Sequence, residues 1–297
     1  MQYLIYKENC YTNLTIKFPP QLTGADFFRI LELMEFPLKP SDVVLFKYAL
    51  TEFVTNSIRA LREKNLLKDV LIEFVIAGNF VKCCITDFAG GFDLAKLPIN
   101  INDENINFDI LSREFQEYRE RHGYNRFGIG LCSARMALDA FRLVFIDENV
   151  CEVPWRGEGS VAGTKITAAK RISLEKPDLI QAAVVKREKR YSIFSKVFIN
   201  GKTEAYLVDI SPKGARILCL EENSFAEGQE LEVKITNGIN LAFRAEVRWL
   251  NRAGVFWQLG LAYKGCELEK NQAIKQFCQS LLEGATCFDG VVVIAGT

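Results

Sequence analysis

Short strand-like segments recur at regular spacing through the second half of this 297-residue chain, and they constrain its fold more than any other feature. Turn signals separate one segment from the next. This pattern predicts a small antiparallel barrel or sandwich. The segments are SIFSKVFING, KTEAYLVDISPKGARILCL, QELEVKITNG, LAFRAEVRWLNRAG and VFWQLGLAYKG, and a helical pattern, LEKNQAIKQFCQSLLEG, follows them.

The first half of the chain mixes helical and strand-like patterns instead. Two strands, VLIEFVIA and FVKCCITD, are joined by Gly78-Asn79, a hairpin turn signal. A long helix before them carries ALTEFVTNSIRAL, with Ser41 and Asp42 as its expected N-caps. The order of elements predicts a sheet covered on one face by helices. Further elements are expected at 13–18, 141–147 and 163–170 (strands), at 25–35 and 108–123 (helices), and within 125–141 (a glycine-rich turn that opens a helix).

The pattern changes near residues 173–190, which predicts two domains in a chain of 297 residues, at about 100–200 residues per domain. The segment between them, LEKPDLIQAAVVKREKR, predicts a connecting helix that ends in basic residues. We therefore expect an α+β protein with an N-terminal α/β two-layer sandwich over 1–170 and a linker over 171–190. A small antiparallel β-barrel with a C-terminal helix is expected over 191–297.

Composition excludes several classes of function. Thirty-seven basic residues balance thirty-seven acidic ones, so no global field favours a nucleic acid or an anionic membrane as partner. The chain has no apolar run long enough to cross a membrane and no secretion signal at its N-terminus, which predicts a cytoplasmic protein. Its nine cysteines lack paired metal-ligand spacing, and a single histidine gives little support to zinc sites or histidine-based triads.

Within the long helix, Glu52 and Asn56 are four residues apart and share one side, at the margin of the apolar face. Three further motifs follow in order, and each of the four alone is most often a helix edge or a turn. The motifs are Glu52-x-x-x-Asn56, Asp87-x-Ala-Gly-Gly91, Gly128-x-Gly130-Leu131 and Gly163-Thr164. Together and in this order, they resemble the ATP-binding domain shared by gyrase, the heat-shock chaperone, histidine kinases and MutL. The resemblance covers about residues 1–170 and implies a Bergerat-type fold.

The resemblance implies a site for ATP and Mg²⁺. Asn56 would complete the magnesium shell with a neutral oxygen, and Glu52 would act as general base or orient the attacking group. Asp87 would accept a hydrogen bond from the adenine amino group, and position 89, which is glycine in the family pattern, is alanine here. This departure predicts weakened rather than abolished binding. The other implied residues are Gly91, beside the base; Gly128, Gly130 and Leu131, at the phosphates; and Thr164, with Gly163, at the adenine end.

Among the branches of this family, the small anti-sigma-factor kinases are the most similar. A strand, a helix and then LTEFVTNSI stand in the order typical of these kinases, whereas the only histidine, His122, lies in a polar stretch over residues 92–127 rather than on an upstream helical hairpin. The resemblance implies phosphorylation of a serine on a partner protein, or reversible binding of that partner. Such a partner would be similar to an anti-anti-sigma factor or a sigma factor.

In the second half, KREKRYS precedes the first strand and VDISPKGARI follows about twenty residues later. A solvated linker and an ordinary turn are the simplest interpretations of these two stretches. Together with WQLGLAYKG they resemble the PilZ domain, over about residues 180–285. The resemblance implies binding of cyclic di-GMP, with arginines on phosphates and guanine faces. The implied residues are Lys186, Arg187, Arg190, Asp209, Ser211 and Gly214; Arg187 and Arg190 are one residue closer than usual, so the usual spacing pairs Lys186 with Arg190.

Three hypotheses follow. The first is a cytoplasmic signalling protein in which cyclic di-GMP modulates an ATP-dependent serine/threonine kinase or partner switch. The second is a non-catalytic adaptor that responds to cyclic di-GMP and has a degenerate ATP-binding domain, and the third is that neither ligand site functions. Relatives of both domains often dimerise, which allows a homodimer by analogy.

Overall fold

The computed structural model describes residues 3–7, 9–97, 99–103, 112–121, 129–173, 190–219, 225–235, 241–253, 256–264, 272–278 and 291–296. Contacts divide the chain into two compact units. The first unit comprises residues 1–176 together with 289–297, and the second comprises residues 177–288. Most of the expected linker helix, part of the polar stretch and the turn at Gly128 lie outside the described residues.

The first unit contains both helices and strands, as expected. The observed strands agree closely in position with the predicted ones. The Gly78-Asn79 turn joins the two strands that were expected to form a hairpin. The described elements are β1 (Leu4–Tyr6), β2 (Asn9–Tyr11), β3 (Asn13–Phe18), α1 (Gly24–Glu32), β4 (Met34–Glu35), α2 (Pro40–Glu63), β5 (Val70–Ala77), β6 (Phe80–Asp87), α3 (Arg113–Arg121), α4 (Ile129–Met136), β7 (Ala140–Ile146), β8 (Glu152–Val153) and β9 (Gly163–Arg171).

Helix α2 begins earlier than predicted. Its N-cap is Lys39 and its first residue is Pro40, so the expectation that Ser41 or Asp42 caps it was wrong. Proline suits the first helical position because the N–H that it lacks has no intrahelical partner there. Asp42 lies in the first turn, where its negative charge is favourable at the positive end of the helix.

One face of the sheet is buried beneath helices. In β5 the buried residues Val70, Ile72 and Phe74 alternate with more exposed ones, which is the signature of a strand covered on one side. Helix α2 packs on β5, β6 and β9, while α1 and α4 pack on α2. The helix that carries Glu52 and Asn56 therefore lies directly on the strands that carry Asp87 and Thr164.

The second unit contains a closed antiparallel barrel, which confirms the prediction of a barrel or sandwich. Its core contains the inward-facing apolar residues of the strands together with Ile274, Phe277 and Cys278 of a helix over residues 272–278, α5. The strands are β10 (Tyr191–Ile199), β11 (Thr203–Ser211), β12 (Gly214–Cys219), β13 (Glu230–Ile235), β14 (Leu241–Ala253) and β15 (Phe256–Tyr263), and they close in the order β10-β11-β12-β15-β14-β13.

The last strand, β16 (Val292–Gly296), returns to the first unit. It pairs antiparallel with β3, with Val292 opposite Lys17 and Gly296 opposite Asn13. It thereby becomes the edge of a seven-stranded sheet with the order β16-β3-β5-β6-β9-β7-β8. The structure differs here from the expected extent of the second domain, 191–297, because residues 289–297 group with the first unit. None of the helices described here is long and apolar enough to cross a membrane.

Candidate functional sites

A cavity of about 200 Å³ lies in the first unit, against α2, the end of β6 and α4. The pairing of β6 with β9 sets Asp87 opposite Thr164, and α2 packs on both strands, so separate motifs of the sequence meet here. Five of the residues implied for an ATP site line the cavity: Asn56, Asp87, Gly91, Leu131 and Thr164.

Asp87 forms the polar floor of this cavity, and only 4% of its surface is exposed. Its Oδ2 accepts hydrogen bonds from Ser57 Oγ at 2.9 Å and Thr164 Oγ1 at 2.6 Å, and its Oδ1 accepts one from the Ala89 N–H at 3.0 Å. The backbone N–H of Thr164 also donates to the carboxylate. Burial raises the pKa of Asp87 above its usual value, and the four hydrogen bonds oppose that shift.

The turn after β6 accommodates the departure at position 89. Ala89 is buried with a backbone conformation that is ordinary for a residue with a side chain, so alanine introduces no strain there. Gly91 is different, because a Cβ on it would lie 2.5 Å from the Trp155 ring and 2.7 Å from Val161. The resemblance places the base of a nucleotide close to Gly91. In this structure the side chains of Trp155 and Val161 approach Gly91 instead.

Glu52 lies against the start of α4. A Cβ placed on Gly130 would come within 2.3 Å of Glu52 Oε2, so only glycine allows the carboxylate this position. The two helices are also joined by Tyr48, whose hydroxyl lies 2.7 Å from Ser133 Oγ, and Ser133 in turn donates to the Gly130 carbonyl at 3.0 Å. The structure thus brings Glu52 and Gly130 together, while Gly128 lies outside the described residues.

Asn56 lines the cavity one helical turn after Glu52. Its Oδ1 accepts a hydrogen bond from Arg59 Nη2 at 2.6 Å. A neutral oxygen of this kind suits Mg²⁺ that is held mainly by phosphates and water, provided that Arg59 moves aside. Within the described part of the chain, no group of three or more His, Cys, Asp or Glu side chains is arranged to hold a metal ion.

Several residues of this cavity were missed by the sequence interpretation. Ser57, Arg59 and Lys64 line it from α2 and its C-terminal end, and Trp155 packs beside it on Gly91. Ser57 directly follows Asn56, but a serine on a buried helix face carries no local signal of a hydrogen bond to a strand thirty residues away. Lys64 brings its ammonium group close to Gly90, which places a positive charge at this cavity.

The second candidate site is centred on Asp209 in the barrel, whose side chain is almost completely buried. Arg190 Nη1 donates to Asp209 Oδ1, and Arg216 Nη2 lies 2.5 Å from Asp209 Oδ2. The two arginine side chains are 46% and 34% exposed, so each keeps part of its guanidinium surface open to solvent. We call these three residues the arginine–aspartate clamp. Lys186 and Arg187 lie outside the described residues.

Arg216 was not among the predicted residues. It stands two positions after Gly214 on β12, on the barrel's outer face, because its neighbours Ala215 and Ile217 point into the core. Strand alternation after the Asp209-x-Ser211-x-x-Gly214 motif was the signal that could have identified it.

Ser211 and Gly214 build the turn between β11 and β12. Ser211 Oγ donates to the Gly214 carbonyl at 3.1 Å and accepts from the N–H groups of Lys213 and Gly214 at 3.3 and 3.2 Å. A Cβ on Gly214 would lie 2.2 Å from the Leu261 carbonyl oxygen of β15, so the strand pairing requires glycine. The turn was one of the two interpretations of this motif, and a role of these two residues toward a ligand stays a prediction.

Residues 186–280 match the sequence profile of the PilZ domain, so the C-terminal part of the chain carries a PilZ domain. The match contains the whole barrel and α5. It also contains Lys186, Arg187 and the arginine–aspartate clamp. No curated protein matches the chain in sequence.

Several solved structures show low similarity to this chain. The PilZ domain of CeSA from a cellulose-synthesizing bacterium is 13% identical, with 32% of this chain and 98% of that chain covered and a TM-score of 0.28. The Bacillus subtilis inhibitor of motility (MotI/DgrA) is 13% identical, with 92% and 97% covered and a TM-score of 0.30. YcgR from Escherichia coli, in complex with c-di-GMP, is 13% identical, with 73% and 80% covered and a TM-score of 0.29.

Proposed function

We propose that this chain is a signalling protein that binds cyclic di-GMP at its PilZ domain and Mg·ATP in its first unit. The observation that supports the first part most is the clamp of Arg190 and Arg216 on the buried carboxylate of Asp209, within the residues that match the PilZ domain. The second part is supported by the convergence of four motifs on one cavity.

The clamp suits a ligand with phosphates and planar bases. A guanidinium group has five N–H donors in a rigid fork, so an arginine that bonds a carboxylate keeps other donors for a phosphate oxygen. The buried Asp209 fixes both guanidinium groups before a ligand arrives, which lowers the entropy that binding would otherwise lose. The π-faces of the same groups can stack on guanine.

Calorimetric titration with cyclic di-GMP tests this part of the proposal. Arg190→Ala removes a half-exposed arm of the clamp, and we expect at least a tenfold loss of affinity, as for a charge-assisted contact worth about 1.5–3 kcal/mol. Arg142→Ala is the matched control, because Arg142 makes an exposed ion pair with Glu152 in the first unit and its removal changes the net charge equally. Wild-type protein that does not bind cyclic di-GMP contradicts the proposal.

For the first unit, the residues present fit the group that they are proposed to bind. Asp87 supplies a buried acceptor for the amino group of an adenine, and Ser57 and Thr164 hold that carboxylate in place. Glu52 and the start of α4 lie together, where the helix N-terminus and a carboxylate can orient phosphates and an attacking hydroxyl. When bound, Mg²⁺ would neutralise charge on the phosphates, and Asn56 would hold it.

We further propose that the first unit transfers phosphate to a serine or threonine of a protein partner, or switches that partner's binding. Glu52 is the group that would accept the proton of the attacking hydroxyl. Glu52→Gln keeps the shape beside Gly130 but removes the base, so we expect phosphotransfer to fall at least a hundredfold with nearly unchanged ATP affinity. Equal phosphotransfer in wild type and Glu52→Gln contradicts this role.

A non-catalytic adaptor is the second candidate. It is favoured by the hydrogen bond from Arg59 to Asn56, which occupies the oxygen that a magnesium ion would need. Arg59→Ala separates the two candidates. If the catalytic proposal holds, freeing Asn56 preserves or strengthens Mg·ATP binding. If the adaptor proposal holds, Mg·ATP binds neither wild type nor variant, and the partner binds without nucleotide.

A further inference from the structure

We propose that Trp249 forms a stacking platform for one guanine base of cyclic di-GMP, next to the arginine–aspartate clamp. This inference rests on the proposed function of the PilZ domain and extends its ligand site to a strand that the sequence motifs do not include. Among the described residues of the barrel, Trp249 is the only exposed large hydrophobic side chain, with 38% of its surface open to solvent.

The register of the barrel aligns Trp249 with the clamp. Asp209 on β11 is opposite Arg216 on β12, Arg216 is opposite Gly260 on β15, and Gly260 is opposite Trp249 on β14. These four residues therefore form one row across four neighbouring strands. Because neighbouring strands are about 4.8 Å apart, Gly260 lies roughly 10 Å from Asp209 along the row.

Trp249 leans back over this row. A Cβ built on Gly260 would come within 2.0 Å of both Cε2 and Nε1 of the indole and within 2.7 Å of Cδ1. Three atoms of the five-membered ring are thus close to the same point above the glycine, which means that the ring covers the Gly260 backbone. Because Gly260 has no side chain, the indole can lie over β15, one strand closer to Arg216 than the Cα of Trp249 is.

An indole that rests on backbone with one face leaves its other face for a planar partner. Base–aromatic stacking does not need a particular hydrogen-bond pattern, because every base presents a π-face. A ligand whose phosphates are held by Arg190 and Arg216 carries its bases on short sugar linkers, so one base can reach the adjacent ring. The clamp supplies the donors for the anion, and Trp249 supplies apolar area beside them.

The other tryptophan of the barrel provides a matched control. Trp257 lies on β15, the strand that carries Gly260, but it packs against the barrel core with Leu259 and Leu261, on the opposite side of the strand from Gly260. Arg252 lies over its ring, 5.7 Å from the centroid. Trp257→Phe is therefore expected to leave cyclic di-GMP affinity unchanged, whereas a change at Trp249 is not.

The test combines affinity and fluorescence on the full chain, with cyclic di-GMP as the probe. In the double variant Trp155→Phe, Trp257→Phe, Trp249 is the only fluorophore of the three tryptophans, and stacking of guanine should quench its emission on titration. Trp249→Ala should weaken binding on the order of tenfold. Gly260→Ala should weaken it comparably without touching a ligand-binding side chain, because the new methyl group displaces the indole.

Thermal unfolding of each variant shows whether the barrel is intact, and Trp249→Phe, which keeps a flat ring, should retain more affinity than Trp249→Ala. Wild-type affinity in both Trp249→Ala and Gly260→Ala, together with unquenched Trp249 emission, overturns the platform while the proposed function stands. Absence of cyclic di-GMP binding by the wild type overturns the proposed function itself, and the platform with it.

Discussion

Replacing Asp87 by asparagine should remove the proposed adenine recognition of the first unit without disturbing its fold. The carboxylate has about four acceptor sites, and four donors from Ser57, Ala89 and Thr164 are directed at them. An asparagine keeps one oxygen for the Ala89 N–H and turns its NH₂ group toward the two hydroxyls. These hydroxyls can rotate to accept, so both side chains keep a hydrogen-bond partner.

The amino group of a bound adenine would meet a hydrogen-bond acceptor in the wild type and a donor in the variant. In the wild type an adenine amino group can displace the Ser57 hydroxyl, which lines the cavity, and donate to the carboxylate. In Asp87→Asn the same amino group meets another donor. A lost hydrogen bond to a charged acceptor corresponds to about 1.5–3 kcal/mol, so the affinity for Mg·ATP should fall roughly 10- to 150-fold.

The charge of Asp87 also predicts a dependence on pH. Its pKa in the folded protein is raised by burial, so the protonated form is favoured relative to the unfolded chain. The stability that this group contributes is fully present below its unfolded pKa and is lost as pH rises through the raised folded value. The proposed ATP binding uses the ionised form, so wild-type affinity should fall when pH is lowered through the same range.

The assay is calorimetric titration with Mg·ATP, accompanied by thermal unfolding of each variant. Asp147→Asn is the control, because Asp147 accepts from the N–H groups of Asn149 and Cys151 in an exposed loop and undergoes the same chemical change. Undiminished ATP affinity in a folded Asp87→Asn variant would refute the assignment of this residue. Equal losses in Asp87→Asn and Asp147→Asn would refute the argument from the cavity.

Three further predictions concern packing and reactivity. Tyr48→Phe removes the hydroxyl that is hydrogen-bonded to Ser133 between α2 and α4. The free energy of unfolding should fall by about 1 kcal/mol, which corresponds to a fall of roughly 2–4 °C in the Tm of the first unit. An unchanged Tm contradicts a stabilising hydrogen bond. Iodoacetamide at pH 8 should label the exposed Cys10 and Cys151 but spare Cys132, because burial raises the pKa of the Cys132 thiol to about 12. Peptide mass spectrometry measures the labelling of each cysteine, and early labelling of Cys132 contradicts the prediction. Deletion of residues 291–297 exposes the edge of β3. The Tm should therefore fall, and self-association should rise in size-exclusion chromatography. The control substitutions Val292→Thr and Ile294→Thr are at exposed positions and should change the Tm little.

Local patterns predicted much of this fold because the decisive signals lie within single elements. The hairpin at Gly78-Asn79 and the regularly spaced short strands of the barrel needed no knowledge of distant residues. The motif residues that the sequence pointed to, such as Asp87 and Thr164, do meet at one cavity. Asp87 and Thr164 are far apart along the chain, and the antiparallel pairing of β6 with β9 sets them opposite each other. The order of the four motifs already implied that these residues share one site.

What was missed depends on pairing across the chain. The approach of Ser57 to Asp87 and of Arg216 to Asp209 follows from a helix on a sheet and from a strand register, respectively. The position of Trp249 over Gly260 depends on a bulge in β14 that shifts the register between Val247 and Trp249. A bulge inserts one residue and changes which side chains face each other, so alternation in the sequence alone does not reveal it.

The pairing of β16 with β3 makes the PilZ-containing unit an insertion within the first unit's chain path. The polypeptide leaves the first unit after residue 176 and re-enters it at residue 289, so the inserted unit is connected to its host at both ends. A fragment that stops near residue 176 would lack the edge strand of the seven-stranded sheet. Isolation of the first unit therefore calls for excision of residues 177–288 and a short linker across the gap, and not for a cut at the boundary between the two sequence patterns.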